Sequence, residues 1–171
     1  MGHAHYWNMS DRPNGVDWEA FSTDLKMALQ WLGIGLADHS GKPDTDPVFT
    51  DKQVGFNGIE DESAEAFILD RNPTDFDFCK TYQRSYDKAV MVALIIADHH
   101  FGMYDFEATS DGNPVEWEDA LRFVRNRFDY GDFPFDEDNL RTGFIEGYAE
   151  RYIEDYRRIR ADLGISENSH A

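Results

Sequence analysis

Apolar and polar positions along the chain change period several times, and each change marks an element. Residues 3–9, His3-Ala4-His5-Tyr6-Trp7-Asn8-Met9, read as a first strand. Residues 11–15 contain Pro13 and Asn14-Gly15 and read as a turn. Asp17 is placed to cap a first helix. Along that helix Trp18, Phe21, Leu25, Ala28, Leu29 and Leu32 recur at helical spacing, and Gly33 and Gly35 end it. A polar loop rich in Gly, Pro and Asp follows over 38–47. Short strands are predicted over 54–59, 65–69 and 75–81, with Asn72-Pro73 turning between the last two.

Residues 86–100 carry a different pattern. Ala89, Val90, Val92, Ala93, Leu94, Ile95, Ile96 and Ala97 cover nearly the whole circumference of a helix that ends at Gly102. A helix apolar all round is buried. Residues 103–109 alternate, with Tyr104, Phe106 and Ala108 opposite Asp105, Glu107 and Thr109, which predicts a half-buried strand turned by Ser110-Asp111-Gly112-Asn113. A helix over 116–128 points Trp117, Leu121, Val124 and Phe128 inward. A last helix is expected over 136–164, where Leu140, Phe144, Tyr148, Tyr152 and Tyr156 step by four. Several neighbouring strands are separated only by turns. That favours an α+β fold, a single layer of mostly antiparallel sheet packed by about four helices, one of them fully buried. A small doubly wound α/β fold is the alternative. The 171 residues fit a single domain over 1–171, with 136–164 as its C-terminal helix or an appended element.

Composition adds one strong fact. Asp and Glu number 34 against 16 Lys and Arg, a formal net charge of -18. The acids are scattered along the chain, and such self-repulsion is relieved by salt, which points to a halophilic host. A DNA-mimicking surface is the rival reading, disfavoured by the scatter. No basic face is visible, so direct nucleic-acid binding is not expected. There is no apolar window long enough for a membrane span and no signal-peptide pattern at the N-terminus, so the expected location is the cytoplasm, of the host cell if the protein is viral. Cys79 is the single cysteine, which excludes an internal disulfide.

Five short motifs occur in order: Met1-Gly2 with His5-Tyr6-Trp7; Phe56-Asn57-Gly58; Phe78-Cys79-Lys80-Thr81; Tyr86-Asp87; and Ser110-Asp111-Gly112. Over residues 1 to about 128 this order resembles a family of small uncharacterised proteins of phages, prophages and archaeal viruses. A Pro that precedes Tyr-Asp in that family's pattern is Ser85 here, and either residue suits a helix start. The resemblance implies a viral or proviral origin and no particular chemistry.

The best candidate for chemistry is the strand-to-helix junction from Phe78 to Lys88. Free N–H groups at a helix start favour an anion. Lys80, Arg84 and Lys88 place three positive charges within nine residues, and Thr81 and Ser85 add hydroxyls. An anionic small ligand would sit here, with Asn57 or Asp111 approaching from other loops and Asp87 positioning Lys80 or Arg84. The bland reading is that these charges pair with nearby carboxylates and Ser85 caps the helix.

Other groups carry weaker signals. Cys79 beside His5 would make a thiol–imidazole nucleophile, or Cys79 is a small buried hydrophobe. His3 and His5 share one face of a strand and are a candidate metal pair, but no third ligand stands at a fixed spacing, so no metal and no cofactor are assigned. Met1-Gly2-His3 would chelate copper or nickel only if Met1 were retained. His99 and His100 suit the C-terminal end of a helix. Asp105, Glu107 and Asp111 form a carboxylate group of a kind expected by chance in so acidic a chain. The Tyr148, Tyr152, Tyr156 stripe is a packing seam or an oligomer contact, and Arg151, Arg157, Arg158 and Arg160 gather near the end of the same helix. The leading expectation is an accessory protein that binds an anionic small ligand and is not an enzyme. The alternatives are a hydrolase or transferase using Cys79, His5 or Asp111, and a virion or partner-binding component.

Overall fold

A computed structural model describes residues 3–134, together with 158 and 161–162. The helix expected over 136–164, with its Tyr stripe and Arg cluster, lies outside the described residues except at 158, 161 and 162, which are helical. The element order is β1 (Ala4–Met9), α1 (Gly15–Leu32), β2 (Val48–Phe49), β3 (Gln53–Phe56), β4 (Phe67–Asp70), β5 (Thr74–Lys80), α2 (Asp87–Phe101), β6 (Glu107–Ser110) and α3 (Glu118–Arg127). Short 3-10 turns occupy Glu60–Glu62, Gly102–Tyr104 and Pro114–Trp117. The fold class is α+β. The sheet is not one layer but two antiparallel sheets of three strands, ordered β5-β1-β6 and β2-β3-β4. They adjoin where the Glu65 N–H donates to the Lys80 carbonyl at 3.3 Å. Among the described residues no helix is long and apolar enough to cross a membrane.

Helix α2 is the centre of the molecule, as its unbroken apolar surface requires. Every residue from Ala89 to Ala97 is buried. It packs against α1 and α3, and Phe101 at its end meets Trp18 and Phe21 of α1 with ring centroids 5.7 and 4.7 Å apart. Each large apolar side chain so buried contributes about 2 kcal/mol, which outweighs the weak helix propensity of its β-branched residues.

Element ends depart from expectation for identifiable reasons. The cap of α1 is Asn14, whose side chain accepts the Asp17 N–H at 2.8 Å, so Asp17 sits in the first turn instead. Ser85 does not cap α2: the cap position falls at Tyr86. The strand expected over 54–59 stops at Phe56: the Asn57 backbone pairs instead with Ala37 in a single bridge, and its side chain turns onto the backbone of neighbouring loops. The strand expected over 103–109 begins only at Glu107. A 3-10 turn and Asp105 at φ 55° precede it, and the Tyr104 carbonyl accepts the N–H groups of Ser10 and Asp11.

Candidate metal centre

Strand β1 lies between β5 and β6, and His5 pairs with Cys79 on one side and Ser110 on the other. Alternation turns His5 inward, and His3, one residue before the strand, lies on the same side. The His3 carbonyl accepts the Thr81 N–H at 2.9 Å, so the pairing with β5 runs on past the strand and brings the start of α2 against the imidazoles. There Asp87, the first residue of α2, meets them. Its Oδ1 is 2.7 Å from His5 Nε2 and also accepts the Thr81 hydroxyl. His5 Nδ1 is 2.8 Å from Ser110 Oγ, which in turn accepts the Gly112 N–H at 2.9 Å and the Trp117 indole N–H at 3.3 Å. His5 and Thr81 are fully buried, and His3, Asp87 and Ser110 nearly so.

His3 is held differently. Its Nε2 stands 3.8 Å from Asp87 Oδ2 and 3.9 Å from Glu116 Oε2. Both separations are too long for a hydrogen bond. Yet its side chain is only 11% exposed. One ligand atom each from His3, His5 and Asp87 lie within 4.8 Å of one another. Metal bonds of about 2.1 Å put tetrahedral ligand atoms about 3.4 Å apart, so small side-chain shifts would bring this set onto one ion. Gly112 makes the room: a Cβ there would lie 3.0 Å from His3 Cε1 and 2.6 Å from Glu116 Oε2. Burial pushes the Asp87 carboxyl up, but the hydrogen bond and charge of His5, the Thr81 hydroxyl and the charge of His3 outweigh it, so the group lies below the usual carboxylate range and is ionised.

The residues expected at the junction take other roles. Asp87 engages His5 and Thr81 rather than Lys80 or Arg84. Arg84 donates to the carbonyls of Asp61 and Ser63, and the Ser85 N–H donates to the Glu62 carboxylate at 2.9 Å. The chain's own groups thus engage the Arg84 guanidinium and the Ser85 N–H. Lys80 is exposed and Lys88 lies over the Phe123 ring. Asn57 is buried and spends its amide on the carbonyls of His39 and Ala64 and on the N–H groups of Gly58 and Ala64. Asp111 accepts the Ala4 N–H and the Tyr6 hydroxyl, tying β1 to the end of β6.

Cys79 and His5 do not form a nucleophilic pair. Both imidazole nitrogens of His5 are already hydrogen-bonded, to Ser110 and Asp87, and the thiol points to the Glu65 carbonyl at 3.3 Å. Burial pushes the Cys79 thiol up to about 12, the opposite of activation. His99 and His100 sit elsewhere: His100 is 2.8 Å from Asp24, and His99 stacks on Tyr130.

Four of the five motifs meet here, through His5, Thr81, Asp87, Ser110 and Gly112; Phe56-Asn57-Gly58 reaches only Tyr86, the residue before Asp87. The third ligand that the sequence lacks at any fixed spacing is Asp87, 82 positions beyond His5. No family model, curated protein or solved structure matches this chain.

Proposed function

We propose that the protein is a small metalloprotein that binds a divalent transition ion, zinc in the first instance, through His3, His5 and Asp87. The observation that carries this reading is the His3 imidazole, almost buried yet spaced 3.8 and 3.9 Å from two carboxylate oxygens that it does not hydrogen-bond. Two imidazoles and a carboxylate suit zinc, or iron(II) with open positions. Three protein ligands leave a position for water or substrate, as catalytic zinc sites do. Glu116 stands beside that position as a fourth ligand or a proton acceptor. Ser110 Oγ, 2.8 Å from Nδ1, is the group that faces the other nitrogen of His5. The ligand of the junction is then a cation rather than an anion. The acidic composition supports a salt-rich setting, the single buried thiol supports a cytoplasmic one, and the motif order supports a viral or proviral origin.

The test is a zinc titration of chelator-treated protein by calorimetry with parallel thermal unfolding. One ion should bind per chain, and metal at a hundredfold excess over its Kd should stabilise the fold by about 2.7 kcal/mol. His3→Ala, which breaks no hydrogen bond of the imidazole among the described residues, should fold as the parent does and lose that gain. Equal zinc binding by the parent and His3→Ala, or no stabilisation of either, would sink the reading.

A further inference from the structure

The face of the β5-β1-β6 sheet that His5 and Trp7 turn away from carries a second group of side chains, apart from the metal cluster. Tyr6 and Asn8 of β1, Phe76 and Phe78 of β5, and Glu107 and Thr109 of β6 share it. Phe76 is 61% exposed and Phe78 41%. The Phe76 ring lies 5.8 Å from Tyr6, stacked at 27°, and 5.8 Å from Phe78. Tyr6, Asn8, Phe76, Glu107 and Thr109 line a shallow hollow of about 70 Å³. The side chains of Asn8, Glu107 and Thr109 make no hydrogen bond among the described residues. The Asp111 carboxylate holds the Tyr6 hydroxyl at 3.1 Å.

An exposed aromatic pair beside an unspent carboxylate, in a chain of net charge -18, fits a flat cation. We propose that this hollow receives an arginine side chain of a basic protein partner. A guanidinium stacks on aromatic rings and offers five N–H donors in a plane, enough for the Glu107 carboxylate, the Asn8 carbonyl oxygen and the Thr109 hydroxyl. An ammonium matches less well, being a strongly hydrated point charge. A neutral planar group would forgo the attraction of Glu107 and of the acidic surface.

The experiment uses the full chain and three short peptides, one with three arginines, one with lysines and one with citrullines in their place. Binding is measured in 0.5 M salt, where the screening length is about 4 Å and diffuse attraction is weak. The arginine peptide should bind at least about threefold more tightly than the lysine peptide and about tenfold more tightly than the citrulline peptide. Phe76→Ala and Glu107→Gln, both at exposed positions, should each weaken it about threefold to tenfold without altering zinc binding. Equal affinity for the three peptides, or variants that bind the arginine peptide as the parent does, would overturn the proposal.

Discussion

A methyl group at position 112 would collide with the two side chains that stand on the open side of the cluster. Its Cβ would lie 2.6 Å from the Glu116 carboxylate and 3.0 Å from the His3 ring. Gly112 is therefore a positioning residue, whose lack of a side chain sets where His3 can lie. Gly112→Ala should keep the circular dichroism spectrum of the parent and weaken zinc binding about tenfold, in the range found when groups supporting a ligand are disturbed. Unchanged affinity would mean that His3 takes no part. At the same scale, Cys79 shows why residue type is a poor guide to reactivity. A lone Cys beside a His in register looks like a nucleophile in sequence. Burial and the Glu65 carbonyl keep it protonated, and His5 has no nitrogen left for it.

At the scale of elements, residues 86–100 betray α2 because an apolar surface on every side has only one place to go. The first helix is equally legible from its spaced Trp18, Phe21 and Leu25. Of the metal cluster only the His3–His5 pair is legible, from strand alternation; Asp87 comes from the start of α2, and no local spacing joins it to them. Asp87 is visible in the sequence as a first-turn acid beside Lys80 and Arg84, not as a partner of the histidines, and Glu116 only as a helix start. The division into two sheets is also hidden, since turns of similar composition either continue a sheet or end it. Asn57 ends one here: its backbone leaves the β3 pairing for a single bridge with Ala37, and its side chain makes four hydrogen bonds to neighbouring loops. Asn57→Ala should strand several buried backbone groups and destabilise the fold by about 3 kcal/mol in urea unfolding. A loss under about 1 kcal/mol would show that water replaces the amide.

For the whole molecule, 34 acids against 16 basic residues make repulsion the main electrostatic cost of folding. Among the described residues Arg122 pairs with Glu118 within α3, and three histidines contact carboxylates. Raising KCl from 0.1 to 2 M should lift the thermal midpoint by about 5 °C or more, because screening shortens from about 10 Å to below 3 Å. A flat or falling midpoint would mean that the acids are spaced too widely to repel.

The same charge gives the molecule a general affinity for cations, so a bound ion must be located and not merely counted. Anomalous diffraction at the zinc edge, on crystals of the full chain equilibrated with zinc, does this directly. A principal peak is expected about 2.1 Å from an imidazole nitrogen of His3, one of His5 and an oxygen of Asp87. Zinc found only on surface carboxylates, with His3 and Asp87 still apart, would contradict the metal reading.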